Sequence, residues 1–306
     1  MPLHKMNTAP LISIALCTYN GSRFLEKQIM SILNQTYKNI ELIVVDDCST
    51  DHTFEIIAQL ASQYPQIKPY RNSENLGFNK NFEKAITLSA GAYIAISDQD
   101  DIWLKDKLQR LIDHIGDKWL IFSNSEWVDE EENMLGRQML APNFELKDRS
   151  FKSVLFYNIF TGHTILFSRD LLDYILPIPS NGYYDWWMGF VALYHNKITY
   201  LNECLTLHRI HSTSVLYKEK NQTKPSPKSD RFKEISINLA ILGVYKNLKE
   251  EDRKLIGKIH TAYSKKKYSL YLIQNIYKYY ECFFPDLKKR KGLSKLNFAI
   301  KFSKGY

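Results

Sequence analysis

AYIAISDQDDIW, the segment from Ala92 to Trp103, joins a short apolar run to a dense group of acids. The small and β-branched residues of its first half are typical of a buried strand. Asp98, Asp100 and Asp101 follow closely, and charges of one sign packed together are costly unless a cation offsets their repulsion. Carboxylate oxygens suit Mg²⁺ or Mn²⁺, so the segment predicts a strand that ends at a divalent cation. The alternative interpretation is a solvated acidic turn that caps the next helix.

Two earlier segments repeat the pattern of an apolar strand that ends in a polar turn. LISIALC (Leu11–Cys17) runs into Thr18 to Gly21, and IELIVV (Ile40–Val45) runs into Asp46 to Asp51. Apolar residues at helical spacing follow each turn, so strands alternate with helices. This alternation indicates an α/β fold with a mainly parallel sheet flanked by helices. Because parallel strands end at one edge of a sheet, we expect the polar turns to converge on one cleft.

The pattern is less regular beyond residue 115. Trp119–Ser123 predicts a strand, and Glu126–Leu146 predicts an exposed loop. Ile198–Tyr200 and Leu205–Ile210 predict two strands that pair with each other. Lys218–Asp230 has two prolines and no large apolar residue, which is typical of a linker or mobile loop. The helices expected after it are Arg231–Leu248 and Arg253–Phe284.

The composition, with 44% hydrophobic and 13% aromatic residues, excludes a disordered protein. The four cysteines form no CxxC pair, which argues against a zinc site or a disulfide framework and favours a reducing, cytoplasmic compartment. The first ten residues lack the apolar core of a signal peptide, and no window approaches about 18 uninterrupted apolar residues. We therefore expect a cytoplasmic chain that does not span the membrane.

The net charge of +8 is unevenly distributed. Tyr245–Tyr306 contains 16 Lys/Arg and 5 Asp/Glu, so this tail carries +11 and residues 1–244 carry −3. Tyrosines interleaved with lysines suit an interface that is apolar on one side and wet on the other, and clustered lysines attract anionic lipid. The tail therefore predicts peripheral attachment to the inner face of the cell membrane. A nucleic-acid patch and an ordinary basic helical surface are the alternatives.

Four motifs taken together suggest a family: ISIALCTYNG, IELIVVDDCSTD, NLGFNKNF and AYIAISDQDDIW. In order and spacing they resemble the nucleotide-binding half of the family 2 glycosyltransferases, which have a GT-A fold. The DQDDIW form, with GHTILF and DWW further on, is most similar to rhamnosyltransferase-like enzymes of surface polysaccharide assembly. The resemblance covers residues 11–115 and, more weakly, 150–215.

This resemblance implies a domain organisation. Residues 1–215 would form the GT-A domain, with a nucleotide-sugar half at 11–115 and an acceptor half at 116–215. A linker or mobile loop at 216–230 would then lead to a basic, aromatic, helical region at 231–306.

The resemblance also implies roles for residues at the strand ends. Thr18, Tyr19 and Asn20 would line the base and ribose site, and Asp47 would accept a hydrogen bond from the pyrimidine N3–H. Helix capping is the alternative for Asp46 and Asp47. Another nucleotide-sugar element, N-x-G…N, has an ordinary turn as its alternative and comprises Asn75, Gly77 and Asn81.

The acidic motif matches the DxD region of the family. Asp98 and Asp100 would contact the nucleotide sugar, and Asp100 and Asp101 would divide ribose contact and metal coordination between them. His211 would complete the site for Mn²⁺ or Mg²⁺, or for the diphosphate, and Arg209 would pair with phosphate. His163 is expected to be structural.

The later YYDWW motif matches the acceptor side of the family. Asp185 would be the general base, and Trp186 and Trp187 would stack on acceptor sugars. The alternative is a helix cap followed by two core tryptophans. The subset often has histidine before this aspartate, whereas Tyr184 stands here, which leaves the donor or acceptor preference open.

These residues predict an inverting, metal-dependent glycosyltransferase. It would move a sugar, with rhamnose among the candidates, from a UDP- or dTDP-sugar to a saccharide acceptor that can be lipid-linked. A nucleotidyltransferase is an alternative, but the turn Thr18–Arg23 is not the Gly-rich basic loop expected for a triphosphate. A non-catalytic nucleic-acid-binding or membrane-binding protein that uses the tail is another.

Overall fold

A computed structural model describes residues 9–211, 228–265 and 269–304. The chain divides into two compact units. The first comprises the residues up to Met139, Gly162–Ile178 and Ile198–Arg209, and the second comprises Leu140–Thr161, Pro179–Lys197 and the residues from Ile210 onward. Two segments of the predicted acceptor half thus join the C-terminal helices. The predicted linker at 216–230 lies outside the described residues except for its last three, which are helical.

The first unit is built on one sheet. In chain order its strands are β1 (Ile12–Thr18), β2 (Ile40–Asp46), β3 (Ile67–Arg71), β4 (Tyr93–Ser97), β5 (Ile102–Trp103), β6 (Leu120–Val128), β7 (Met134–Gln138), β8 (Ile165–Ser168) and β9 (Ile198–Arg209). Within the described residues the order across the sheet is β3-β2-β1-β4-β8-β6-β9-β5, and β7 pairs with β6. The pairs among β1 to β4 are parallel, whereas β8 runs antiparallel to both β4 and β6.

Helices of the first unit follow the strands as the alternating pattern predicts. They are α1 (Leu25–Leu33), α2 (Thr53–Gln63), α3 (Phe78–Leu88), α4 (Lys107–Ile115) and α5 (Leu172–Ile175). Apolar residues at helical spacing turn one face of α1 into the core, where Leu25, Ile29 and Ile32 are buried. Every residue of β1 is buried, as expected for a central strand with both faces covered.

The polar turns meet at one edge of the sheet, as the sequence predicts. Thr18, the last residue of β1, pairs with Asp46 at the end of β2, and Leu16 pairs with Ser97 at the end of β4. β9 is parallel to β6, and β6 points in the same direction as β4 because both are antiparallel to β8. The end of β9 at Arg209 therefore lies at the same edge.

The prediction of two strands that pair with each other at Ile198–Tyr200 and Leu205–Ile210 is wrong. Both segments belong to the single strand β9, and both pair with β6, from Ile198 opposite Leu120 to Arg209 opposite Val128. Between the two apolar halves the register shifts around Asn124 of β6, and the extra residues lie in β9, since Phe122 is opposite Tyr200 and Asn124 is opposite Cys204. The predicted exposed loop at Glu126–Leu146 is wrong in part, because β6 continues to Val128 and β7 pairs back onto it.

The second unit is mostly helical. Its helices are α6 (Tyr184–Tyr194), α7 (Lys228–Gly243), α8 (Glu250–Ser264), α9 (Leu270–Lys278), α10 (Tyr280–Phe283) and α11 (Gly292–Ser303). The predicted helix Arg253–Phe284 is thus divided into three. Rings from α6 pack edge-on against Tyr245 after α7, which explains why α6 belongs to this unit. No helix among the described residues is long and apolar enough to cross a membrane.

Gly91 precedes β4 at a point where the backbone of β1 leaves no room for a side chain. A Cβ at Gly91 would lie 2.6 Å from Ser13 N and 2.7 Å from Leu11 O. We expect Gly91→Ala to lower the free energy of unfolding by about 2 kcal/mol, because backbone atoms of a central strand must move. Urea unfolding measures the change.

The matched control for this substitution is Gly257→Ala in α8, where a Cβ would meet no described atom within 4 Å. Because alanine favours the helix, this variant should be as stable as the parent or slightly more so. A Gly91→Ala protein with parental stability would show that β1 does not constrain the backbone at Gly91.

Candidate active site

The acidic loop after β4, Asp98–Asp101, lies against the turn after β1, which begins at Tyr19. Gln99 Oε1 accepts hydrogen bonds from Thr18 Oγ1 at 2.7 Å and from Tyr19 N at 2.9 Å. Gln99 Nε2 donates in return to Tyr19 O at 3.3 Å. The two turns that the sequence predicts to share a cleft are therefore joined through one glutamine side chain.

Asp101 is the buried end of this acidic loop, and two histidines surround it. Its Oδ1 accepts hydrogen bonds from His208 Nδ1 at 2.8 Å and from Arg209 N at 3.2 Å. Its Oδ2 lies 3.5 Å from His163 Nδ1, and Asp98 Oδ2 lies 3.5 Å from the same nitrogen. The rings of His163 and His208 are stacked with centroids 4.6 Å apart. One buried carboxylate thus faces two parallel imidazoles.

The charges of this cluster support one another. Burial alone would raise the pKa of Asp101, but His163 and His208 hold that pKa below its usual range. Burial alone would lower the pKa of His208, but Asp101 raises it to about 9. The buried Asp101 carboxylate therefore favours the protonated form of His208 when no metal is bound. Since a proton and a metal ion compete for the same nitrogen, metal binding here would release protons.

The cluster fits a divalent cation. In the described part of the chain, Asp101, His163 and His208 form the group whose ligand atoms lie within 4.8 Å of one another. Asp101 Oδ2 and His208 Nε2 are both buried, and neither has a hydrogen-bond partner among the described residues. An unpartnered buried polar atom is costly, and metal coordination would remove that cost. Two imidazoles with a carboxylate suit Mn²⁺ better than Mg²⁺, which prefers oxygen ligands.

Lys107 holds the backbone of His163, one of the residues that surround Asp101. Nothing in the sequence around Lys107 indicates this role. The side chain is fully buried, and Nζ donates to His163 O and to Thr206 Oγ1, the latter at 2.8 Å. Nζ also lies 3.7 Å from the centroid of the Trp103 ring, which offers a cation–π contact. Burial lowers the pKa of Lys107 well below its usual value, and Asp101 and Asp98 oppose that shift. Lys107 therefore ties His163 to β9.

Arg209 lies in the interior. Its Nε donates to Asp100 O at 3.0 Å, one Nη donates to Glu130 O at 2.8 Å, and the other lies 3.3 Å from Glu132 Oε1. The guanidinium also lies 4.7 Å from the centroid of the Phe24 ring. In this arrangement Arg209 anchors the acidic loop to the segment after β6. Its pairing with a phosphate stays a prediction.

Asp47 holds the loop that follows β3. Its Oδ1 accepts hydrogen bonds from Asn72 Nδ2 at 2.6 Å and from Leu76 N at 2.8 Å, and its Oδ2 accepts one from Gly77 N at 2.9 Å. A carboxylate has about four acceptor sites, so a further donor such as a base N–H can be accommodated. Asp46 does not cap a helix: its Oδ2 accepts a hydrogen bond from Ser49 N at 3.1 Å within the turn, and Ser49 lies four residues before α2 begins.

The N-x-G…N element surrounds Asp47. Asn75 Nδ2 donates to Asp47 O at 3.3 Å, and Gly77 has φ 78°, a backbone conformation that favours glycine. Asn81 is buried, with Nδ2 donating to Val45 O at 3.0 Å. These contacts fix the loop, and contact with a nucleotide stays a prediction for all three residues.

The turn after β1 combines a fixed residue with an exposed one. Asn20 has φ 50°, and its Oδ1 accepts a hydrogen bond from Thr50 N at 2.8 Å, which links the turns after β1 and β2. Tyr19 is exposed. The ring of Tyr19 is therefore accessible to a ligand, as the predicted base site requires.

Asp185 is the second residue of α6, in the second unit. Its Oδ1 accepts hydrogen bonds from Asn158 Nδ2 at 3.0 Å and from Trp186 N at 2.6 Å. Asn158 is itself held, because its Oδ1 accepts a hydrogen bond from Phe160 N at 3.0 Å. The side chain of Asp185 is therefore oriented by two donors on one oxygen.

The two tryptophans after Asp185 are core residues, which corrects the prediction that they stack on acceptor sugars. Trp186 is 1% exposed, and its Nε1 donates to Val154 O at 2.6 Å. Trp187 is 7% exposed and packs edge-on against Tyr245 with centroids 5.4 Å apart. A ring needs an open face to stack on a sugar, and packing takes that face from both rings.

The metal site that the structure favours differs from the predicted set in its histidines. Asp101 belongs to both sets, whereas His163 and His208 take the place of the predicted ligand His211. His211 is buried in the second unit, and its part in metal or diphosphate binding stays a prediction, as does that of Asp100. The sequence contains an indication of His208, because LHRIH has two histidines. The family motif matches the second of them, His211, and not His208.

Comparisons with known proteins agree with this architecture. The family model of glycosyl transferase family 2 matches residues 13–176. An uncharacterized glycosyltransferase of Haemophilus influenzae is 25% identical over 95% of this chain and 99% of its own. WfaP of Escherichia coli, a UDP-Glc:alpha-D-GlcNAc-diphosphoundecaprenol beta-1,3-glucosyltransferase, is 28% identical over 67% of this chain and 79% of its own.

A solved structure shares the fold. The crystal structure of S. aureus TarS 1–349 in complex with UDP-GlcNAc superposes with a TM-score of 0.62 at 16% identity, covering 97% of this chain and 88% of that one. The family match spans more than half of the chain, from β1 through the acidic loop to α5. The chain belongs to glycosyl transferase family 2.

Proposed function

We propose that this glycosyltransferase moves a sugar from a UDP- or dTDP-sugar to a saccharide acceptor, with inversion at the anomeric carbon and with a bound divalent cation. The observation that carries the proposal is the buried Asp101 with His163 and His208 beside it, at the end of the acidic loop that Gln99 ties to Thr18. Rhamnose stays one candidate for the sugar, and the resemblance described above is its support.

We assign the cation to Asp101, His163 and His208, with Asp98 beside them at 3.5 Å from His163 Nδ1. A bound cation would supply positive charge where the leaving nucleoside diphosphate gains negative charge. Lys107 and Arg209 hold the peptide backbone on either side of this group, so the ligands are oriented before the cation arrives.

Asp185 is the proposed general base. The acceptor hydroxyl oxygen forms a bond to the anomeric carbon while the bond from that carbon to the diphosphate oxygen breaks. The hydroxyl proton passes to Asp185. One displacement inverts the configuration, and one carboxylate base is sufficient for it. Because Asn158 and Trp186 N both bind Oδ1, the carboxylate keeps one orientation as the acceptor binds.

For the nucleotide we propose the turns after β1 and β2. Thr18, Tyr19 and Asn20 supply one wall, and Asp47 supplies an acceptor for the N3–H of uracil or thymine. Cytosine has no donor at that position, so a carboxylate there favours UDP and dTDP over CDP.

The acceptor is proposed to be lipid-linked and to belong to surface polysaccharide assembly. The printed function of WfaP names a sugar on diphosphoundecaprenol as its acceptor, which supports this class. Such an acceptor lies in the membrane, so the enzyme would work as a peripheral protein at the inner face.

A thermal-shift panel tests the proposal. We expect UDP or dTDP with Mn²⁺ to raise the melting temperature by roughly 5 °C at about 100 times Kd, because a ligand that binds only the folded state stabilises it. CDP, or either ligand with a chelator, should have a much smaller effect.

Two outcomes of the panel would replace the proposal. Stabilisation by UTP, with formation of a nucleotide sugar from a sugar 1-phosphate, would indicate a nucleotidyltransferase. Stabilisation by polynucleotides that is independent of Mn²⁺ would indicate a nucleic-acid-binding protein.

A further inference from the structure

The C-terminal helices carry an apolar groove that is open to solvent. It has a volume of about 470 Å³ and lies between α9 and α11. Three apolar side chains that line it are exposed: Leu293 by 77%, Tyr277 by 41% and Leu296 by 36%. Exposed apolar side chains grouped around one groove are typical of a surface that binds another protein, a membrane or a ligand.

Basic residues are concentrated in α11 and in the segment that leads into it. Residues 287–304 contain seven Lys/Arg and no Asp/Glu. Lys288, Lys289 and Lys291 are exposed, and Lys291 immediately precedes Gly292 of the groove wall. Lys295 Nζ lies 5.3 Å from the centroid of the Tyr277 ring, and its charge is paired with Glu281, whose Oε2 is 3.1 Å away. We call Tyr277, Leu293, Leu296 and the three exposed lysines the α9–α11 patch.

The patch rests on packed structure. Phe298 on α11 lies with its ring centroid 5.1 Å from those of both Tyr280 and Phe284. Tyr280 OH donates to Lys288 O at 3.0 Å, which ties the basic segment to α10. The helix that carries the two leucines is therefore packed against α10 through Phe298.

We propose that the α9–α11 patch is the surface through which this protein binds an anionic lipid bilayer. Leucines and a tyrosine can enter the boundary between headgroups and acyl chains, while lysines around them contact anionic headgroups. A polynucleotide matches the charge but offers nothing to two exposed leucines, so the combination favours lipid. This inference assigns the proposed membrane location to specific residues. It rests on the proposed function in one respect, because a lipid-linked acceptor is the reason for the protein to bind a membrane.

Vesicle co-sedimentation of the full chain tests the patch. Vesicles of equimolar phosphatidylglycerol and phosphatidylcholine should bind the protein, and pure phosphatidylcholine should bind it far less. The triple variant Lys288→Ser/Lys289→Ser/Lys291→Ser should bind about 100-fold more weakly, at about fivefold per lysine. Leu293→Ser/Leu296→Ser should lose about tenfold without a change in charge.

Matched controls come from other exposed residues of the second unit. Lys233→Ser/Lys246→Ser/Lys254→Ser removes the same charge, and Val244→Ser removes an apolar side chain that is 73% exposed. Both controls should bind vesicles like the parent. Equal weakening by the control triple, absence of binding to the anionic vesicles, or tighter binding to a polynucleotide would each overturn the proposal.

Activity on a water-soluble acceptor separates this inference from the proposed function. All patch variants should transfer sugar at the parental rate, because the patch contains none of the proposed donor or base residues. If the parent protein binds vesicles but transfers no sugar, the membrane-binding proposal is supported and the proposed function is wrong. If the parent protein transfers sugar but does not bind the vesicles, the proposed function is supported and the membrane-binding proposal is wrong.

Discussion

Asp185→Asn is expected to lower kcat for sugar transfer by about 10³-fold while nucleotide-sugar binding stays intact. Loss of a positioned general base typically costs two to four orders of magnitude, and an amide cannot accept the hydroxyl proton. Asparagine keeps the shape of the side chain and an oxygen for the N–H groups of Asn158 and Trp186. The fold and the donor site should therefore survive. Single-turnover transfer and a UDP-induced thermal shift measure the two effects separately.

Glu251→Gln is the matched control. Glu251 is also the second residue of a helix, α8, is exposed, and changes from carboxylate to amide in the same way. It should retain parental kcat. Asn158→Ala keeps the base but removes one of its two donors, so a smaller loss of about tenfold is expected, with the KM for the donor unchanged. If Asp185→Asn also loses the UDP-induced shift, Asp185 serves the donor site, and if it keeps full kcat, another group is the base.

Asp101→Asn is expected to abolish stabilisation by Mn²⁺ and to lower transfer by about 100-fold or more. Asparagine supplies a neutral oxygen in place of the charged ligand, so affinity for a divalent cation falls. The substitution also leaves the His208 imidazolium without its buried partner, and breaking such a pair costs about 3 kcal/mol. The melting temperature without metal should therefore fall as well. Mn²⁺ titration calorimetry measures the affinity directly.

The control for Asp101→Asn is Asp106→Asn, which removes an exposed carboxylate just before α4. It should respond to Mn²⁺ like the parent. His208→Gln provides a second test if Asp101→Asn is too unstable to purify, since it removes the imidazole but keeps Asp101. An Asp101→Asn protein that melts earlier but binds Mn²⁺ with parental affinity would show that the cluster is an ion pair of the core and not a metal site.

The first half of the fold was accessible from local patterns. β1, β2 and β4 are short apolar runs that end in polar turns, and the helices between them have apolar residues at helical spacing. These periodicities depend only on neighbours in the chain, and parallel strands with crossovers have few alternatives. The prediction that Thr18, Asp46 and Ser97 reach one edge is confirmed by the register of the strands.

β9 shows where local patterns fail. Its two apolar halves resemble two strands with a turn, yet each half pairs with β6 and the polar residues between them are absorbed by register shifts. The partner strand lies some 80 residues earlier in the chain, and nothing in the local sequence identifies it. α6 shows the same limit, because DWW reads equally well as a sugar platform and as core until packing buries both rings.

By itself, the sequence determined which kinds of residue stand at the ends of the strands, and therefore that acids, amides and histidines are available at one edge of an α/β sheet. Only the tertiary structure decided which of them meet. Asp101 and His208 are 107 residues apart, and they come within 2.8 Å because β9 runs parallel to β6 and pairs with β5 beside the acidic loop. The physical reason is that periodicity is a property of short segments, whereas a buried carboxylate and its two imidazoles depend on strand order and register across the whole sheet.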